Sequence, residues 1–341
     1  MGIKQNAAIL LHARYPKGPR NLISDVAGVT VGHKTLISDD HTVNTGVTVI
    51  KPHPGNCYCE KVFAAAEVIN GFGKSAGLVQ IGELGTLESP IYLTNTLSVG
   101  TVITAEVKQA LAENPQIGVS TGTVNCVVCE CNDGSMNDIR GLHVTEEDAQ
   151  QAFRAACADF EEGAVGAGTG MKMMGLKGGI GAASRLVTIQ EKTYTVGALA
   201  LTNYGSTRNL TVGGDPLGRR IAAEHGPDQG SCILILATDV PLSDRQLGRA
   251  AKRSAHALAR TGSYSGNGSG DIAIAFSTAN RVAHFPKEAE ETYSFLHDDF
   301  IDPVFEASVE AMEEALLSSM LHACPTDGIR GKHLAALGEY L

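Results

Sequence analysis

The octapeptide Tyr264-Ser265-Gly266-Asn267-Gly268-Ser269-Gly270-Asp271 places a hydroxyl nucleophile directly after a residue without a side chain. Gly268 lets its carbonyl be approached closely and its backbone bend. The Ser269 hydroxyl can attack that carbonyl, forming an ester that water opens to leave Ser269 as a new N-terminal residue. Its α-amine, with an ordinary pKa near ~8, would then act as general base for its own hydroxyl. The same composition also describes a plain Gly/Ser loop. A serine nucleophile needs an oxyanion donor. Asn203 follows the apolar run 196–201 and precedes Tyr204-Gly205, so it fits that role or that of a turn asparagine. Glu130 stands beyond Val127 and Val128 and before Asn132-Asp133-Gly134. A carboxylate there can hold a substrate ammonium, or lie at an exposed edge. Helical geometry turns Glu313 towards the apolar face of Phe305, Val309, Met312, Leu316 and Met320. An inward carboxylate is costly unless paired, so it is a site candidate unless its end reaches solvent. Glu306 lies close to the same arc, Glu310 at its margin and Glu314 well away.

These residues need elements to hold them. Short Val- and Ile-rich runs predict strands over 29–31, 46–50, 117–119 continuing through 124–128, 186–189, 195–201, 232–237 and 272–276. The stretch 185–202 reads as a hairpin through Glu191-Lys192. Thr145 caps a helix through 149–161 that Gly163 stops. Ser243 with Gln246 forms a capping box that opens a helix ending at Gly262, and a third helix covers 305–322. Strands and helices do not alternate strictly, which favours two layers of sheet with helices outside. No repeat or linker divides the chain, so 1–341 reads as one compact domain.

The 341 residues are 43% hydrophobic and 19% charged, with a net charge of −10. An acidic surface argues against nucleic acid and anionic membrane as partners. The apolar run 7–11 is too short for a signal peptide and is followed by His12, Arg14 and Lys17. No stretch approaches the ~20 apolar residues of a membrane span, so the expected location is cytoplasmic. Among eight cysteines, Cys126, Cys129 and Cys131 invite a zinc reading with Cys57 and Cys59, but the spacing is incomplete. The run 125–131 reads better as a strand with free thiols. The glycine-rich 166–170 lacks the order of a nucleotide-binding loop, although its amides can line a cleft.

Several ordered motifs resemble the P1 family of peptidases, the L-aminopeptidase/D-esterase and β-peptidyl aminopeptidase group. They include Asn21-Leu22-Ile23-Ser24-Asp25-Val26, Asn70-Gly71-Phe72-Gly73-Lys74, Leu93-Thr94-Asn95-Thr96-Leu97-Ser98-Val99-Gly100, Thr202-Asn203-Tyr204-Gly205 and the run 267–271. The resemblance implies an α/β fold, a four-layer αββα sandwich like the Ntn hydrolases with different connectivity. It implies self-cleavage into 1–268 and 269–341, and a homotetramer of the processed heterodimers. Ser269 matches the nucleophile, Asn203 an oxyanion donor and Glu130 the acid that holds the substrate amine. The helix near Glu313 matches a source of an active-site carboxylate. Asn132 stands where some members have an oxyanion-hole tyrosine. A second serine of the family falls at Ala311 or Met312, unless Ser308-Val309-Glu310 is the match. The expected activity is hydrolysis of amide or ester bonds at the N-terminus of small peptides or aminoacyl amides, with no metal or organic cofactor. L-, D- and β-amino acid substrates stay open. So do acyl transfer of the ornithine acetyltransferase type, which uses threonine at the cut, and an unprocessed binding protein.

Overall fold

The structure, a computed structural model, describes residues 13–224 and 226–341. The apolar run 7–11 lies outside them. Strands β1 (Thr30–Ile37), β2 (Asn44–Lys51), β5 (Ile91–Asn95) and β6 (Val127–Cys131) form a four-stranded sheet in that order, with β5 and β6 parallel. The second sheet has six strands in the order β4-β3-β12-β11-β10-β9. These are β3 (Glu60–Gly71), β4 (Thr86–Leu87), β9 (Ile180–Ile189), β10 (Lys192–Asn203), β11 (Gln229–Thr238) and β12 (Gly268–Ala283). The pair β11 and β12 is parallel, and the other pairs are antiparallel. Two short ribbons complete the strands, β7 (Lys172–Met173) with β8 (Leu176–Lys177) and β13 (Thr326–Gly328) with β14 (Lys332–Leu334).

Each sheet carries helices on its outer face. Helices α2 (Val99–Glu113) and α3 (Glu146–Arg154) cover the four-stranded sheet, burying Val102, Ala149 and Ala152 against Val47, Val49 and Val128. Helices α5 (Asp244–Lys252), α6 (Ser254–Arg260) and α7 (Asp302–Leu321) cover the six-stranded sheet, and the shorter α1 (Leu78–Leu84) and α4 (Gly218–Ile221) lie at the margins. Between the sheets, Val31, Ile50, Leu93 and Cys129 meet Leu199, Ile233, Ile274 and Phe276. Strand alternation sends neighbouring residues of β12 the other way, so Ala273 and Ala275 face the outer helices. The layers therefore run helix, sheet, sheet, helix, as expected.

Most local readings hold. The Thr145 and Ser243 capping boxes form, with Asp148 and Gln246 reaching back. The hairpin forms with its turn at Gln190-Glu191, one residue before the expected Glu191-Lys192, and Gln190 has φ +54°. Three readings need correction. Residues 117–119 make a turn closed by Val119 N–H on the Gln116 carbonyl, with Gly118 at φ +72°. Helix α3 stops at Arg154 because the backbone of Cys157 pairs with Val31, donating to it and accepting from it at 3.0 Å. The helix opened by Ser243 breaks at Arg253 into α5 and α6.

Cys129 and Cys131 lie in β6 with their thiols free, and burial pushes Cys129 up to about 12. Among the described residues no three His, Cys, Asp or Glu side chains cluster in a way that could hold a metal ion. No helix among them is long and apolar enough to cross a membrane.

Candidate active site

Glu130 lies one residue from the end of β6 and is buried. Its Oε1 accepts the Lys74 backbone N–H at 2.9 Å, and its Oε2 accepts the Thr96 hydroxyl. Thr96 opens a turn whose amides are held by the Asn95 side chain, so both donors are fixed by backbone. Among the described residues no cation pairs with Glu130. A buried carboxylate served only by neutral donors is poised for a cation from outside.

Asn203 ends β10, as its position after the apolar run predicts. Its Oδ1 accepts the Lys172 backbone N–H at 3.0 Å, and its Nδ2 donates to the Asn132 carbonyl at 3.0 Å. That fixes which way the amide points and leaves one N–H for a ligand. Asn132 turns its own Oδ1 onto the Gly134 N–H at 2.9 Å. Asn203 and Ser269 meet across Gly230, which pairs with Ser269 in β11 and has φ +131°. A Cβ there would lie 1.8 Å from the Asn203 carbonyl oxygen, so only glycine allows the approach.

A cleft of about 390 Å³ joins Glu130, Asn132, Asn203 and Gly268, with Phe72, Lys74, Thr96, Lys172 and Gly230 also on its walls. Ser269 is at the same strand end but its side chain is turned inward and fully buried. Its hydroxyl donates to Asp271 Oδ1 at 2.7 Å. Residues two apart on a strand share a face, which places the Ser269–Asp271 pair on the side of β12 that Ala273 and Ala275 continue towards the helices. Burial raises the Asp271 pKa, opposed by the Ser269 and Ser265 hydroxyls. Its Oδ2 makes no hydrogen bond among the described residues.

The chain around the Gly268–Ser269 bond is tightly held. The Ser269 N–H donates to the Gly266 carbonyl at 2.8 Å, and the Asn70 amide donates to the Gly266, Asn267 and Ser269 carbonyls. Ser265 adopts φ +52°, a costly conformation for a residue with a side chain.

The helix carboxylates are elsewhere. Glu313 lines a separate cavity of about 430 Å³ with Arg260, Arg185 and Glu310, and its Oε2 pairs with Arg260 Nε at 3.1 Å. Helix α7 packs on β9 and β10, beyond β11, so its inward face does not reach the start of β12. Glu314 is buried rather than outward, held by Arg185 at 2.7 Å and Lys17 at 2.5 Å. Glu310 accepts from Arg185, and Glu306 pairs with Arg14. Ser308 donates to the Val304 carbonyl within its own helix. Thus Asp271, two positions after Ser269, is the carboxylate beside the Ser269 hydroxyl, and Glu313 is held by Arg260 in a separate cavity. Strand alternation puts Ser269 and Asp271 on one face, a signal that exists only because the strand begins at Gly268 rather than at 272. Thr96 and Asn70 were visible only within motifs, with no role attached.

Comparison with known proteins finds relatives along nearly the whole chain. The chain is 38% identical over 339 residues to the β-peptidyl aminopeptidase BapA of Sphingosinicella microcystinivorans, covering 92% of this chain and 84% of that protein. The structure of the PH0078 protein from Pyrococcus horikoshii OT3 superposes with a TM-score of 0.93 at 51% identity, covering 97% of this chain and 95% of that one. The L-aminopeptidase D-Ala-esterase/amidase of Ochrobactrum anthropi, described as a prototype for the serine aminopeptidases and a new variant of the Ntn hydrolase fold, gives 0.90 at 35% identity, with 97% and 95% covered. The sequence profile of peptidase family S58 matches residues 21–334, and with nearly the whole chain aligned, this protein belongs to that family.

Proposed function

We propose that this protein is a self-processing aminopeptidase that hydrolyses amide and ester bonds next to a free amino group, with Ser269 as an N-terminal nucleophile. The observation that carries the reading is the single cleft shared by Glu130, Asn132, Asn203 and the Gly268 end of the scissile bond. In processing, Asp271 takes the Ser269 hydroxyl proton as Oγ bonds to the Gly268 carbonyl carbon. The C–N bond then breaks, the amine of Ser269 receives that proton, and water hydrolyses the ester to a Gly268 carboxylate and a free hydroxyl. The released residue 269 can rotate towards the cleft. There Glu130 holds the substrate ammonium and the free N–H of Asn203, with the Asn132 amide, stabilises the oxyanion. The Ser269 amine serves as base for each later turnover.

The test is a denaturing gel and intact mass of freshly made protein. Fragments matching 1–268 and 269–341 are expected, together with release of p-nitroaniline from aminoacyl p-nitroanilides, and Ser269→Ala loses both. A full-length chain that hydrolyses these substrates regardless would overturn the N-terminal mechanism.

A further inference from the structure

Beyond the oxyanion donor, the cleft carries Lys172 and Lys74, and among the described residues neither forms an ion pair with a carboxylate. The Lys172 N–H is the group that fixes Asn203, so Lys172 lies on the far side of Asn203 from Asn132. The contacts thus run in order from Asn132, two residues past Glu130, through Asn203 to Lys172. A substrate held by its ammonium at Glu130, with its first carbonyl beside Asn203, extends its leaving half towards Lys172. Lys172 is half-buried on the cleft wall, and Lys332 of β14 stands close enough to repel it. Burial, reinforced by that repulsion, lowers the Lys172 pKa. Lys74, on the same cleft, lies over the Phe72 ring at 4.8 Å.

Two half-buried ammonium groups that repel each other raise the energy of the folded chain, and an anion near both offsets that cost. The protein has ten more acidic than basic side chains by formal charge. Yet among the described residues no carboxylate forms an ion pair with Lys172, Lys332 or Lys74. A carboxylate carried by a ligand can supply that anion.

We propose that Lys172 and Lys332 form a carboxylate subsite on the leaving side of the scissile bond, so that the preferred substrates are dipeptides with a free C-terminal carboxylate. This rests on the aminopeptidase reading and adds to it a preference within small peptides. The same chemistry would be met by an acidic side chain on the second residue of a longer peptide. Lysine offers a point charge on a flexible stem, which suits a carboxylate whose position varies with the residue that carries it.

The experiment compares kcat/KM of the processed enzyme for alanyl-alanine, alanyl-alanine amide and alanyl-glutamate amide, and for the β-alanyl equivalents. The free dipeptide is expected to exceed its amide by about tenfold, mainly through KM, as for a charge-assisted contact. Within Lys172→Met and Lys332→Met that ratio falls towards one, and Lys172→Arg restores it. Because each ratio is taken within one variant, a loss of overall activity does not mimic the effect. A preference for alanyl-glutamate amide alone would keep the subsite and assign it to the side chain of the second residue. A ratio near one in the unsubstituted enzyme, or one unchanged in both methionine variants, overturns the subsite. If no amino-terminal substrate of either linkage is hydrolysed, the aminopeptidase reading has failed. Calorimetric binding of alanyl-alanine against its amide then decides the subsite, with a preference for the acid supporting it and equal binding overturning it.

Discussion

Asp271 lies two residues beyond Ser269 on one face of β12, with its Oδ1 2.7 Å from the serine hydroxyl. Only the carboxylate can accept that proton. Burial raises the Asp271 pKa above the ordinary aspartate value, so the carboxylate is a stronger base than usual but is also lost at a higher pH. Processing should therefore run at its plateau above the raised pKa and slow as pH falls through it. Asp271→Asn keeps the volume and removes the base, and fragments should appear about a hundredfold more slowly. A time course on freshly synthesised chain measures this, and processing at the parental rate would remove Asp271 from the step. Glu130, Asn132 and Asn203 stand where an apolar run gives way to turn residues, and Gly268 where turn residues give way to a strand, so their position at strand ends was legible. Asp271 stands in the same octapeptide, whose composition reads as a loop, whereas the strand already begins at Gly268. Glu313 was legible as inward-facing, but periodicity does not reveal that the group it faces is Arg260.

Helix α7 shows what holds the outer layer on. It is buried on nearly all sides, and two of its acids, Glu310 and Glu314, converge on Arg185 of β9, which has no exposed surface. Lys17 and the Asn21 amide complete the coordination of Glu314. Removing one partner of such a network leaves charge buried and unpaired. Arg185→Met should cost about 3–5 kcal/mol, read as a lower urea midpoint. A shift within error would mean that solvent already reaches the two acids. The helix and its apolar stripe were legible from spacing alone. The acids' partners were not, because they come from β9 and from the segment before β1, and only tertiary packing brings them together.

At the scale of the whole molecule, the layer order followed from strand and helix signals that do not alternate. The strand count did not, since β3, β4 and β5 of the two main sheets and both short ribbons carry no clear strand signal. Strand β3 reads Glu-Lys-Val-Phe-Ala-Ala-Ala-Glu-Val, whose alanine-rich middle lacks the branched residues that mark a strand, yet it flanks β12 along most of its length. That placement matters for the proposed cut before Ser269. The smaller piece begins inside the six-stranded sheet, bonded to β11 on one side and β3 on the other, and it also contributes α7. Folding of the intact chain is unimolecular, whereas rebuilding the nicked molecule from separated pieces is a second-order encounter that must thread a strand between two neighbours. Denaturation should thus be reversible for Ser269→Ala and, for the cut protein, concentration-dependent and largely one-way, which dilution refolding followed by light scattering measures. The nick would turn an equilibrium fold into a kinetically trapped one, with a lifetime set by unfolding alone.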